Sequence, residues 1–274
     1  IGIRFTHFAE FAWGTLEPEE GIYDFEWLDR AVALAGKYGL KVIMCTPSPT
    51  PPVWLSKKYP DILIRRDNGV NIQHGRRQHA SWSSERYCDF VKNIVTKLAE
   101  RYGKNPTVIG WQIDNEPGHY GLVDYSENAQ QKFRLWLRRK YKTIDQLNAT
   151  WGNTFWSESY QHFDQIRLPN QQELPEKPNP HAMLDMNRFM ADELAGFVNM
   201  QADVLHKNIS EKQWITTNLI PVFNPVDPVR MDHLDFTTYT RYLVTGHKMG
   251  IGKQGFRLGS PPGDKVTPSV MTIP

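Results

Sequence analysis

Cysteine is scarce in this chain of 274 residues, with Cys45 and Cys88 the whole supply. They form no CxxC pair and no spaced array, which excludes a disulfide framework and argues against structural zinc. A reducing compartment, or indifference to redox, follows. No stretch has the length and apolarity of a membrane span, so no membrane is expected as a partner. Charge of one sign is lacking too: the formal net charge is +2 and the lysines and arginines are scattered. The densest basic pairs are Arg65-Arg66, Arg76-Arg77 and Arg138-Arg139, and the first and last read as solvated faces. No basic stripe for nucleic acid results. There is no internal repeat. Methionine is missing at position 1, where Ile1 opens directly inside a strand pattern, so the natural N-terminus is expected to lie outside these residues. The compartment is therefore not assigned, with the cytoplasm the leaning.

Aromatic residues are abundant, with nine Trp and eleven Tyr. Their faces stack on the apolar faces of sugar rings and also fill large cores. Strand patterns alternate with amphipathic helices, the signature of βαβ units and a parallel sheet covered by helices. Strands are expected at 1–5, 40–46, 108–113, 214–219 and 234–239. Helices are expected at 26–38, with Asp24 as N-cap and Gly39 as stop, then at 84–102, 127–141 and 184–207. The segment 168–180, with four prolines, reads as a surface excursion because periodic helix resumes directly after it.

The eight residues Trp111-Gln112-Ile113-Asp114-Asn115-Glu116-Pro117-Gly118 carry the chemistry. They put an Asn-Glu pair at the end of an apolar strand, where a β/α barrel keeps its reactive groups. Glu116 is the candidate general acid/base for glycosidic bond cleavage. The plainer reading is a Glu at a turn, with Pro117 and Gly118 merely breaking the strand. Two further segments follow strand ends and would converge on the same mouth: residues 7–18, and the proline-dense loop 46–55, whose fixed φ angles stiffen it as a pocket wall. A retaining glycosidase needs one carboxyl to protonate the leaving oxygen and a second, about 5 to 5.5 Å away, to attack the anomeric carbon.

FAEFAWGTLEPEEGIYDFEWLD, TPSPTPPVWLSKKYPDIL, GRRQHASWSS, IGWQIDNEPG and TIDQLNATWGNTFWS occur in this order, and together they resemble successive landmarks of the glycoside hydrolase family 42 β-galactosidases over residues 1–240. The resemblance implies a TIM (β/α)8 barrel, with residues 1–274 forming a partial catalytic domain that is incomplete at both ends. The first strand and helix, and the nucleophile-bearing strand 7, would lie outside it. A broken barrel exposes strand edges, so self-association into a homo-oligomer is one expected consequence. By position Glu116 would be the acid/base and Asn115 would contact the sugar 2-hydroxyl. The family nucleophile sits in a motif resembling MEQQPG, and none follows Glu116 here. The implied substrate is a β-galactoside or related oligosaccharide, split by a retaining double displacement, with this segment alone inactive.

Two departures follow from the same resemblance. His7 stands where family members carry an arginine that helps bind the galactosyl unit, exchanging a fixed fork of donors for a titratable ring. Many relatives bind zinc through cysteines after the Asp-Asn-Glu segment, and residues 119–128 contain none, so no metal and no cofactor is expected. Trp156 matches a family position lining the sugar site, against the plainer reading of a core tryptophan. Glu10 and Glu17 divide evenly between pocket and solvent, and Asn218 is placed either to serve a barrel mouth or to close a loop. His74, His79 and His119 lack metal-ligand spacing and read as loop residues. Two other readings stay open: a noncatalytic or truncated sugar-binding fragment, and a retaining enzyme for another β-glycoside or an α-L-arabinoside.

Overall fold

Parallel pairing dominates the computed structural model, which describes residues 2–119, 121–174, 176–220 and 226–240. The strands β1 (Phe5–Phe8), β2 (Lys41–Cys45), β3 (Val108–Gln112) and β4 (Trp214–Thr216) lie in that order in one sheet, all parallel. The short β5 (Asn218–Leu219) and β6 (Thr238–Tyr239) form a second parallel pair. Between strands run α1 (Trp13–Leu16), α2 (Glu26–Lys37), α3 (Val53–Lys58), α4 (Glu85–Tyr102), α5 (Glu127–Tyr141), α6 (Ile144–Trp151) and α7 (Pro180–Asn208). Strand-helix-strand order with only parallel pairing is the construction of a β/α barrel wall.

Pleating divides the strand residues between two faces. Val42, Met44, Trp111, Ile113 and Ile215 join the helix residues Leu28, Val32, Ile94, Val95, Leu98, Val198 and Leu205 in one buried cluster between sheet and helices. The alternate residues turn the other way, and the register sets His7 beside Ile43, Cys45 beside Gln112 and Gly110 beside Trp214. Glycine is required at 110: a Cβ there would come within 2.2 Å of the Trp214 indole. A second buried cluster, outside the first, joins α5 and α6 to the first half of α7 through Phe133, Leu137, Leu147, Trp151 and Phe189. At its centre the buried Asp185 carboxylate accepts from Lys140, from the Tyr141 hydroxyl at 2.6 Å and from the Trp151 indole at 3.1 Å.

Several expectations move. The first strand runs 5–8 instead of 1–5, and residues 214–219 divide into β4 and β5 around Thr217, whose hydroxyl donates to the Ile113 carbonyl at 2.6 Å. Asp24 precedes Phe25, the residue that caps α2, and its carboxylate accepts the Glu26 N–H at 2.9 Å. Helix α7 starts four residues early because the Asn179 side chain accepts from the His181 and Ala182 N–H groups, with Pro180 at the first turn. The unpredicted α6 is capped by Thr143 at one end and by left-handed Gly152 at the other. Of the excursion, Leu168 is buried in the second cluster, and the buried Asn170 amide donates to the Asp67 carbonyl at 2.6 Å. The Gly- and Pro-rich tail from residue 246 lies outside the described residues. Among those described, no helix is long and apolar enough to cross a membrane.

Candidate active site

Beyond β3 the chain leaves the sheet through a turn that few side chains adopt. Asp114 has φ 55° and Glu116 φ 50°, both in the left-handed region that disfavours a Cβ. Such a turn persists only when its surroundings over-determine it. The Asp114 N–H donates to the Thr46 hydroxyl at 2.8 Å, and the Asp114 carboxylate accepts from the Ser48 hydroxyl at 2.6 Å and the Asn115 N–H at 2.7 Å. The proline-dense loop after β2 thus braces the turn from one side. From the other side Asn218, on β5, accepts the Glu116 N–H at 3.1 Å and donates to the Asn115 side-chain oxygen at 3.0 Å. Asn218 therefore ties the turn after β3 to β5.

Glu116 is 3% exposed and its carboxylate pairs with the Arg77 guanidinium at 2.8 Å. His119 Nδ1 lies 3.8 Å from the same carboxylate, and burial pushes that imidazole below the usual histidine range. A second carboxyl is close by electrostatically. Glu10, half-buried, accepts from the Gln112 amide at 3.1 Å; burial pushes it up, the Gln112 hydrogen bond and Arg77 pull it down, and Glu116 pushes it up again. Glu10 thus faces the site, whereas Glu17 is buried away from it, accepting the Trp13 indole N–H at 2.8 Å and the Gly21 N–H at 2.9 Å. Asp114, fully enclosed, is raised to about 6 by burial, against the lowering pull of Ser48, the Asn115 N–H and Arg77. Two carboxyl groups held above their ordinary range around an ion-paired third is an arrangement suited to proton transfer.

His7 lies on β1 with Nδ1 at 3.7 Å from the Cys45 thiol, half-buried, and burial lowers its pKa. Trp156 is 75% exposed, with φ 60°, in a short 3₁₀ turn after α6 beside Phe155. No hydrogen bond, ion pair or ring contact joins it to Glu116 among the described residues. The thiols are free; Cys45 is buried and burial raises Cys88 to about 11, so neither is a nucleophile at neutral pH. No group of three or more His, Cys, Asp or Glu able to hold a metal occurs among the described residues. Arg77 and Gln78 lie in the landmark GRRQHASWSS, yet sequence reasoning gave neither a role at the site. The Arg76-Arg77 pair stood out as a density of charge, but nothing in its spacing points to Glu116.

The family model for β-galactosidases of glycoside hydrolase family 42 matches residues 1–257. The chain belongs to that family. It is 39% identical over 243 residues to the β-galactosidase BgaA of a Thermus species, covering 88% of this chain and 37% of the relative. The β-galactosidase Bga of Halorubrum lacusprofundi is 38% identical over 218 residues, with 79% and 31% covered. Among solved structures, the β-galactosidase of the psychrophilic Marinomonas ef1 superposes with a TM-score of 0.84 at 37% identity, over 88% of this chain and 37% of that one. The catalytic domain of the β-amylase from Paenibacillus polymyxa, at 15% identity and a TM-score of 0.61, shares the fold alone. The structure is a partial TIM barrel, and the chain spans about a third of the length of the curated relatives it matches.

Proposed function

We propose that this chain carries the acid/base half of a retaining β-galactosidase site, with Glu116 as the proton-transfer residue. The observation that supports this most is the Glu116 carboxylate itself, buried on a braced left-handed turn at the end of a barrel strand. In the first step Glu116 protonates the glycosidic oxygen as the C–O bond breaks and a nucleophilic carboxylate takes the anomeric carbon; in the second it removes a proton from water, which displaces that carboxylate. Asn115 offers its side-chain amide to the sugar hydroxyl next to the anomeric carbon, and His7, on the inner face of β1, contacts the galactosyl unit. The exposed Trp156 ring serves as a stacking face for sugar. The substrate is a β-galactoside or related oligosaccharide.

No MEQQPG-like motif occurs after Glu116, so residues 1–274 by themselves lack the attacking carboxylate and do not turn over. The test is hydrolysis of an aryl β-galactoside by this chain and by Glu116→Ala, once circular dichroism and sedimentation have found both folded. No turnover by either is expected. Turnover by the chain that disappears in Glu116→Ala would mean that a second carboxylate within these residues attacks, and the half-site reading would fall. Because His7 replaces an expected arginine, aryl α-L-arabinosides are the comparison substrate, run on the protein expressed from its complete reading frame.

A further inference from the structure

The geometry points to Gln78 as the positioning residue of the acid/base turn, an inference that rests on the role proposed for Glu116. The turn at 114–116 directs its peptide carbonyls away from any helix or sheet ladder, and buried carbonyls need partners. The Asp114 carbonyl accepts from the Gln112 amide at 3.2 Å, and the next two are served by Gln78. The Gln78 side-chain nitrogen donates one hydrogen to the Asn115 carbonyl at 2.9 Å and the other to the Glu116 carbonyl at 2.6 Å. The Glu116 carbonyl also accepts the His119 N–H at 2.9 Å, which leaves the Asn115 carbonyl the more dependent on Gln78.

Gln78 is itself fixed in place. It is 6% exposed, its φ is 59°, and its N–H donates to the Pro49 carbonyl at 2.7 Å, anchoring it to the stiff loop after β2. Its neighbour Arg77 pairs with the Glu116 carboxylate. One dipeptide from the segment between α3 and α4 therefore grips Glu116 at both ends, Arg77 by the charge and Gln78 by the backbone. Gln78 touches no reacting atom. It fixes where the carboxyl group sits, and an acid displaced by a fraction of an ångström loses proton transfer before it loses substrate binding.

That separation of roles has a kinetic signature. A leaving group that needs protonation, as in lactose or an alkyl galactoside, depends on the acid; 2,4-dinitrophenolate leaves without it. The experiment measures kcat/KM for lactose and for 2,4-dinitrophenyl β-galactoside with wild type, Gln78→Met, Gln78→Glu and Glu116→Ala, each expressed from its complete reading frame. Met keeps the length and removes both donors; Glu keeps the shape and sets an oxygen against the two carbonyls, so whichever variant folds answers the question. Expected is a loss of about tenfold or more on lactose with at most about threefold on the dinitrophenyl substrate, in the direction of the larger imbalance of Glu116→Ala. Equal losses on both substrates would reduce Gln78 to a packing role, and no loss on either would remove it altogether; both overturn the inference. No leaving-group dependence in Glu116→Ala, or no turnover by the wild type, would instead overturn the role of Glu116, and the inference with it.

Discussion

Among the turns that bend through left-handed side-chain-bearing residues, those at 114–116 and 155–157 are held in opposite ways. At 114–116 the backbone lies buried between Thr46 and Ser48 on one flank, Asn218 on another and Gln78 beneath, and nearly every polar atom of the turn has a partner. At 155–157 the same kind of backbone, with φ 60° at Trp156 and 57° at Ser157, is exposed; Trp156 packs against Phe155, and neither Trp156 nor Ser157 makes a side-chain hydrogen bond among the described residues. A left-handed side-chain-bearing residue costs about 1–2 kcal/mol in either setting. The first turn converts that cost into a fixed position for a carboxyl group. The second presents an aromatic face whose position the described contacts do not fix. Strain marks both, but only the buried turn is preorganised.

The largest effect should come from Glu116, the residue proposed as the acid/base. In the protein expressed from its complete reading frame, Glu116→Ala should lower kcat on lactose by about 10²–10⁴, the usual worth of positioned proton transfer. Trp156→Ala, on the exposed turn, should act mainly on KM. Similar kcat losses in both variants would erase the distinction between the proposed acid and the proposed stacking face.

Next is the pH response of Asp114, which underlies the buried turn. Its carboxyl is raised from 3.8 to about 6 in the folded protein, so the fold disfavours the ionised form. Its contribution to stability is accordingly greatest below the unfolded value, declines as pH rises through that window and changes no further above about 6. The full decline amounts to about 3 kcal/mol at most. Urea unfolding of wild type and Asp114→Asn between pH 4 and 7 reads it together with its coupling to Glu10, since carboxyl groups that do not interact with Asp114 cancel in the difference. The variant should gain on the wild type up to pH 6 and then run parallel; a constant difference would show that Asp114 titrates as it does in water.

Much of this contrast was legible in the sequence, and the part that was not has a physical reason. Helical periodicity fixed α2, α4 and α5 to within a residue or so, because each buries one continuous apolar stripe. Apolar runs located β2, β3 and β4, and the motif that ends β3 led to Glu116 and Asn115. The eight-residue α6 was passed over although Thr143 and Gly152 mark its ends, since so short a helix carries little periodic signal. Arg77 and Gln78 lie 38 to 39 residues before Glu116 in an irregular segment, and their contact with it exists only after the strands are brought together. Sequence reading reaches residues that announce themselves by local pattern. The bracing shell of this site is nonlocal, so it appears only in three dimensions.

The smallest expected effects are also the most discriminating, because one substitution should change sign between the brace of the buried turn and the exposed turn. Glycine relieves the left-handed φ at either Gln78 or Ser157. At Gln78 it also removes both hydrogen bonds to the Asn115 and Glu116 carbonyls, so Gln78→Gly should destabilise by about 2 kcal/mol, the cost of leaving a buried carbonyl unpaired less the relief. At Ser157 no hydrogen bond is lost, and the relief is partly offset by the extra freedom of glycine in the unfolded chain. Ser157→Gly should therefore stabilise by about 0.5 kcal/mol, which urea unfolding resolves as a shift in midpoint at constant slope. If both variants moved the same way, side-chain bracing would not be what separates the turns. Opposite signs would mean that the conformation at 114–116 is maintained by its neighbours, and that changing Gln78 is a way to move Glu116 without touching it.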